Sequence, residues 1–349
     1  MADRPLRWGI LSTARIARQR FIPGVRAGAE GEVAAIASRD GAKAQQAAAE
    51  LGIPRAHGSY EALLADPDVD AVYIGLPNGL HPEWTVKAAE AGKHVLCEKP
   101  VARRAVDAER MAGACRRAGV LLMEAFMYRL HPQHARVLEL VRQGAIGTPV
   151  FVRASFCFNM DAGRRGLGDG ESNRLAGQRA AGDVRLQAEL EGGALMDVGC
   201  YAVNAARYVF GAEPVEVSAQ QRVDPAFGVD TAFAGVLRFP GERLALIDGS
   251  FDAAGPQRYE VGGSGGLVLV ERAFLPGEAP AQIHVTAGGQ RRTEEIPAAD
   301  QYALEADHFA RSVRAGQLLP PAEDGVAQAR VIEALYRSAD TGQAVRLAS

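Results

Sequence analysis

Asp197, Tyr201, Asn204 and Tyr208 recur at i, i+4, i+7 and i+11, the spacing that lines one face of a helix. The run Gly192-Gly193-Ala194-Leu195-Met196-Asp197-Val198-Gly199-Cys200-Tyr201 opening that helix offers a carboxylate and a phenol one turn apart. Such a pair suits proton transfer. It equally suits a capping aspartate beside a half-buried tyrosine. Two further motifs, Leu76-Pro77-Asn78-Gly79-Leu80-His81 and Cys97-Glu98-Lys99-Pro100, follow short apolar runs. Of the 39 basic residues only Lys43, Lys87, Lys93 and Lys99 are lysines. In so arginine-rich a background a lysine draws interest, because an ammonium sheds a proton where a guanidinium does not. The plain alternatives are a surface cation for Lys99 and a helix-start histidine for His81.

These residues need elements to position them. In the first half, apolar runs at Leu6–Leu11, Val33–Ser38, Ala71–Leu76, Val95–Cys97 and Val120–Glu124 alternate with helical patterns at Ala14–Ala27, Ala42–Leu51, Glu83–Ala91 and Val106–Ala118. Gly52, Gly92 and Gly119 stand where left-handed helix caps are expected. Strands spaced by helices predict an α/β, doubly wound parallel sheet over residues 1–125. Both short motifs then lie at carboxyl ends of parallel strands, where that architecture binds ligands. Beyond it, residues 126–349 read as an α+β domain with a large, mainly antiparallel open sheet. Its predicted helices are Gln133–Gln143, Asp197–Phe210, Gln301–Arg314 and Gly325–Thr341. Its strands are Val150–Phe158, Val215–Val223, Ala232–Phe239, Leu244–Phe251, Tyr259–Val261, Leu267–Glu271 and Gln282–Thr286. The final helices either complete this domain or return to the first. The Gly/Arg-rich stretch Asp161–Asp183 has no period and reads as a long loop or lid.

After the first strand, Gly9-Ile10-Leu11-Ser12-Thr13-Ala14-Arg15-Ile16-Ala17 puts Ser12, Ala14 and Ala17 where a G-x-G-x-x-G phosphate loop would have glycines. Small side chains still admit a pyrophosphate to the helix N-terminus, with Thr13, Arg15 and Ile16 in the same turn. A plain strand, turn and helix without ligand fits as well. The second strand ends Ala37-Ser38-Arg39-Asp40, with Lys43 beyond. A hydroxyl and two cations suit a 2′-phosphate, favouring NADP over NAD; the alternative makes Asp40 the ribose carboxylate and turns Arg39 to solvent.

Composition narrows the field. The chain has 349 residues, 48% hydrophobic and 23% charged, with 39 Lys+Arg against 42 Asp+Glu. A net charge of −3 argues against nucleic-acid binding by bulk charge. No apolar run is long enough for a membrane span and no signal-peptide core follows Met1, so a cytoplasmic location is expected. Cys97, Cys115, Cys157 and Cys200 are widely spaced, which predicts reduced thiols and no metal site.

In order along the chain, the first strand, Pro77-Asn78-x-x-His81, Glu98-Lys99-Pro100, Glu124-Ala125-Phe126-Met127-Tyr128-Arg129-x-His131-Pro132 and Gly192-Gly193-…-Asp197-x-Gly199-x-Tyr201 carry a resemblance. The chain resembles the glucose–fructose oxidoreductase / inositol dehydrogenase / rhizopine catabolism (Gfo/Idh/MocA) superfamily over nearly its whole length. It is nearest the dihydrodiol dehydrogenase and NADP-dependent xylose dehydrogenase branch. The resemblance implies a Rossmann domain, then an α+β domain whose open sheet forms a homodimer or homotetramer interface. It implies hydride transfer between nicotinamide and a carbinol or carbonyl carbon of a small molecule: a sugar, a polyol or a trans-dihydrodiol. The family's catalytic lysine, aspartate and tyrosine match Lys99, Asp197 and Tyr201. By the same matching, Asn78 and Glu98 lie beside the nicotinamide ribose, Ser38, Arg39 and Lys43 at the 2′-phosphate, and Arg185 near cofactor or substrate. Ser12 to Ile16, Leu76, Pro77, His81 and Lys99 itself complete the expected cofactor contacts. Met127, Phe156, Phe158 and Asn204 are candidates for the substrate pocket wall, or for core.

Two departures stand out: the three fingerprint glycines are absent, and Asp161–Asp183 is long. That loop is expected to cover the substrate cleft or to serve an oligomer contact. A free phenol, with a pKa of about 10, is a poor base at neutral pH unless a cation lowers it. Lys99 is therefore expected to activate Tyr201 while Asp197 orients the pair; in the alternative, Lys99 carries the proton itself. Two rival functions remain: a non-catalytic dinucleotide-binding regulator, and an enzyme that never releases NADP, either a sugar–sugar oxidoreductase or a redox-assisted glycosidase.

Overall fold

The computed structural model describes residues 4–161 and 182–347, so most of the loop expected over Asp161–Asp183 lies outside the described residues. The chain divides into two compact units, residues 1–130 with 300–329, and residues 131–299 with 330–349.

In the first unit a six-stranded sheet runs in the order β3-β2-β1-β4-β5-β6. The strands are β1 Leu6–Leu11, β2 Gly31–Ala37, β3 Arg55–His57, β4 Ala71–Ile74, β5 His94–Glu98 and β6 Leu122–Ala125. Every pair is parallel. The order reverses between β1 and β4, which makes a switch point at their carboxyl ends. Helices cover both faces, so the central strands are continuous apolar runs rather than alternating ones. Gly52 and Gly119 cap their helices in the left-handed conformation, as the sequence predicts. Trp8 of β1 meets Phe21 edge-on at 5.1 Å, and Phe21 stacks on Tyr73 of β4 at 3.9 Å. The helix Gln301–Ala315 belongs to this unit and lays Phe309 against Trp8 at 5.3 Å.

The second unit holds a nine-stranded sheet, β14-β13-β12-β11-β7-β10-β9-β8-β15. Its strands are β7 Pro149–Cys157, β8 Glu216–Asp224, β9 Val229–Phe239, β10 Arg243–Ser250, β11 Gln257–Gly263, β12 Gly266–Val270, β13 Ala281–Ala287, β14 Gln290–Ile296 and β15 Val345–Arg346. Only β7 and β10 pair in parallel; the other neighbours are antiparallel. The helix Cys200–Phe210 packs on β7. Phe156 of that strand stacks on Phe274 at 5.4 Å.

Among the described residues, three strands and one α-helix were not expected. β3 and β15 are too short to show a period, and the helix Tyr60–Leu64 is a single turn with a Ser59 cap. β14 reads Gln-Arg-Arg-Thr-Glu-Glu-Ile because it is a sheet edge, where charge discourages further pairing. Both helices that open on chemistry-bearing turns also differ from expectation. The first passes through a π-turn, Ala17–Phe21, before Ile22–Ala27; the other passes through a π-turn, Leu195–Gly199, before Cys200–Phe210. Such π-turns concentrate at functional sites.

Candidate active site

The turn after β1 shows what the missing glycines cost. Ser12 sits at φ +129°, a region that favours glycine. Strain of about 1–3 kcal/mol at such a residue persists only when its surroundings hold it. Here the Ser12 hydroxyl donates to the Gly75 carbonyl at 3.1 Å and accepts from Ala14 N–H at 3.2 Å. Serine thus keeps the glycine-like turn, and Thr13, Ala14 and Ile16 remain half-buried with Arg15 exposed. At the end of β2, Ser38 accepts from Asp40 N–H at 3.2 Å, while Arg39 and Lys43 are exposed. The Asp40 carboxylate caps the helix Gly41–Leu51, accepting from Ala42 N–H at 3.0 Å and Lys43 N–H at 3.2 Å.

The β4 and β5 turns are tied together. His81 is fully buried, its Nε2 2.8 Å from the Leu76 carbonyl and its Nδ1 3.0 Å from the Pro100 carbonyl. Burial lowers the imidazole pKa, with the Lys99 charge acting in the same direction. The His81 ring is thus closed between two carbonyls and ties the two turns together. Glu98 and Lys99 are half-buried at the end of β5, as are Pro77 and Asn78 at the end of β4, while Leu76 is buried. Tyr73 donates to Glu98 Oε1 at 2.6 Å, and the Lys99 backbone N–H donates to Glu98 Oε2 at 3.2 Å. Glu124 of β6 accepts from Val101 N–H at 2.8 Å, bracing the segment just past Pro100. Met127, in this same unit, is buried.

In the second unit the Gly-Gly motif has a steric cause. A Cβ at Gly192 would stand 2.4 Å from the Arg185 carbonyl. Gly193, at φ +126°, donates to that carbonyl at 2.9 Å. A Cβ there would lie 2.1 Å from Asp230 Oδ1. Asp230, almost fully buried on β9, accepts from Leu195 N–H at 2.7 Å and from the Tyr336 hydroxyl at 2.9 Å. It anchors the π-turn that carries Asp197, whose own N–H donates to the Gly193 carbonyl at 2.9 Å. Asp230 and Tyr336 escaped the sequence reading, because an aspartate in an apolar strand reveals neither partner.

Asp197 is half-buried, and Tyr201 and Asn204 are buried on the helix that follows. Tyr201 lies 5.3 Å from both the Phe156 and Phe274 rings. Phe158 packs on Phe251 and meets the Arg185 guanidinium at 5.4 Å. Burial works against the Arg185 charge, but its bonds to Asp183, at 2.7 and 3.0 Å, and the nearby Asp197 carboxylate raise its pKa. Arg185, Asp183 and Asp197 therefore form one charged group within this unit.

Residues 6–126 match the family model described as oxidoreductase family, NAD-binding Rossmann fold, and residues 134–269 match the GFO/IDH/MocA C-terminal domain. D-xylose 1-dehydrogenase (NADP(+)) 2 of Haloferax volcanii is 43% identical over 342 residues, covering 97% of this chain and 99% of the relative. Trans-1,2-dihydrobenzene-1,2-diol dehydrogenase of Xenopus tropicalis is 31% identical over 293 residues, 83% of this chain and 81% of that one. The crystal structure of a 3-ketoreductase from Actinomadura kijaniata in complex with NADP and TDP-benzene superposes with a TM-score of 0.86 at 33% identity, over 96% of this chain and 98% of the reductase. Together with the parallel sheet and its switch-point turns, these matches establish that the chain belongs to the Gfo/Idh/MocA family of oxidoreductases.

Proposed function

We propose that this chain is an NADP(H)-dependent dehydrogenase acting on a sugar, a polyol or a trans-dihydrodiol, with Lys99, Asp197 and Tyr201 as its catalytic residues. The observation that carries the reading is Ser12: a serine held at a glycine-like φ in the β1 turn preserves the path for a pyrophosphate. The 43% identity to a xylose dehydrogenase supports the substrate class. NADP, when bound, supplies the hydride acceptor. Glu98 and Asn78 would hold its nicotinamide ribose. In this proposal Tyr201 takes the substrate hydroxyl proton and Lys99 supplies the cation that such a phenol base needs at neutral pH. Asp197, in the charged group with Arg185, orients the substrate hydroxyl. Met127, Phe156, Phe158 and Asn204 are proposed for the wall of the substrate pocket, three apolar side chains and one amide.

NADP is favoured over NAD because Asp40, the residue that could serve as ribose carboxylate, is spent on its helix cap. Arg39 and Lys43 are left to take a 2′-phosphate. Loss of a charge-assisted hydrogen bond costs about 1.5–3 kcal/mol, so Arg39→Ala is expected to weaken NADPH binding about ten- to hundred-fold and leave NADH binding nearly unchanged. Fluorescence titration of the two reduced cofactors reads this directly.

A homo-oligomer through the open sheet is part of the same proposal. Val236 of β9 pairs with Leu246 of β10; these two and Leu244 are each at least 40% exposed on neighbouring strands. Exposed apolar side chains clustered on one sheet face suit an interface. Sedimentation velocity should find a dimer or tetramer, and a monomer at micromolar concentration would remove this part of the proposal. Among the described residues no helix is long and apolar enough to cross a membrane.

The activity test incubates the full chain with NADP or NAD and a panel of aldoses, polyols and trans-dihydrodiols, following the absorbance of the reduced nicotinamide. Turnover that requires NADP supports the dehydrogenase. NADP binding without turnover on any substrate would favour a regulator or an enzyme that retains its cofactor.

A further inference from the structure

The helix Gln301–Ala315 places one carboxyl where nothing answers it. Glu305 is fully buried, and neither of its carboxyl oxygens has a hydrogen-bond partner. An ionised carboxylate in that position would be an unpaired buried charge, which proteins avoid by keeping the proton. Its charged neighbour is Glu98, the residue before Lys99. The two carboxyls share a cluster with Tyr73 of β4 and Tyr302 of the same helix, both strongly buried and both affected by the charges of Glu98 and Glu305. The donors in this cluster go to Glu98: the Tyr73 hydroxyl at 2.6 Å and the Lys99 N–H at 3.2 Å. Burial, and then the Glu98 charge, push the Glu305 carboxyl well above its ordinary range.

Arg20, from the π-turn after β1, and Asp300, at the helix cap, both act on Tyr302. Arg129, in the turn Met127–Leu130 that packs on the helix, is paired with Asp324 at 2.6 Å. Asp307 is engaged by Ala29 N–H and Glu30 N–H at 3.0 Å.

We propose that Glu305 is a positioning residue for the Glu98–Lys99 turn: it holds its own proton, so that Glu98 is the single anion of the cluster and keeps the turn set for the cofactor. The role of that turn rests on the dehydrogenase reading above. Removing the proton places a second negative charge behind Glu98 in a low-dielectric interior, where the two repel strongly. The anionic cofactor then meets a displaced turn.

The test titrates the full chain with NADPH, read by fluorescence, in the wild type and in Glu305→Gln, which mimics the protonated carboxyl at every pH. Across the pH range over which the chain stays folded the wild-type Kd is expected to rise about ten-fold or more toward the alkaline end, while that of Glu305→Gln stays within about three-fold. The same limb in both proteins, or no limb in the wild type, overturns the proposal. Thermal melts without cofactor provide a second measure. A folded-state pKa above the unfolded value gives stability that is complete below the unfolded value and lost as pH rises through the folded one. Glu305→Gln should therefore gain on the wild type as pH rises, and parallel melting profiles would overturn the proposal independently. Absence of NADPH binding at every pH would instead refute the dehydrogenase reading, and the melts would still judge Glu305.

Discussion

Lys99→Met is expected to lower NADP-dependent turnover by about 10²–10⁴-fold, the range of a lost acid–base partner, while NADPH binding changes far less. Methionine keeps an unbranched stem and removes the charge together with the ammonium's hydrogen-bond donors. The Lys99 main chain stays in place, because its N–H bonds to Glu98 and the next peptide is braced by His81 at the Pro100 carbonyl. A loss confined to kcat would mark an interaction made in the transition state, whereas a rise in KM alone would reduce Lys99 to a binding residue. Tyr201→Phe separates the two proton schemes. If Tyr201 exchanges the proton, its turnover falls about as far as that of Lys99→Met; near-wild-type turnover leaves Lys99 as the carrier. Initial rates with saturating NADP across the pH range measure both variants, on whichever substrate the panel identifies.

Gly193→Ala should rank among the most damaging single methyls in the second unit. The added Cβ would stand 2.1 Å from Asp230 Oδ1 and 3.0 Å from the Tyr336 hydroxyl, at φ +126°. Relief requires moving a buried carboxylate that accepts two hydrogen bonds, one of them from Leu195 N–H at the start of the Asp197 turn. Backbone strain and a broken buried network together place the cost at about 3–5 kcal/mol. Gly52→Ala is the control, since Gly52 also has positive φ but meets nothing within 4 Å. That change should cost only about 1 kcal/mol. Urea denaturation of both variants decides the matter: equal losses would mean that conformation alone, and not the approach of Asp230, makes Gly193 necessary. Turnover in Gly193→Ala should fall as well, because the same contact sets the π-turn under Asp197.

The sequence alone determined the parallel sheet of the first unit and the placement of the motifs at its carboxyl edge, because burial on both faces demands apolar runs and helices demand a 3.6-residue period. β1 agrees with its sequence-predicted limits, and β4 and β5 differ from theirs by one or two residues. The open sheet was legible for the same reason, except at its edges: β14 carries charge and β15 is two residues long. Among the site residues, chemical type and spacing marked Lys99, Asp197 and Tyr201 as candidates, and only the family resemblance gave them their expected catalytic roles. Tertiary structure decided everything that depends on partners distant in sequence. Ser12 takes the strained glycine conformation because the Gly75 carbonyl is there to receive its hydroxyl. His81 became a brace when the Leu76 and Pro100 carbonyls closed on its ring. Asp230 found the Leu195 N–H, and Glu305 was left beside Glu98 without a donor. Periodicity is a local property of the chain, whereas the hydrogen bonds and charges that tune these groups arise only when strands far apart in sequence are brought together.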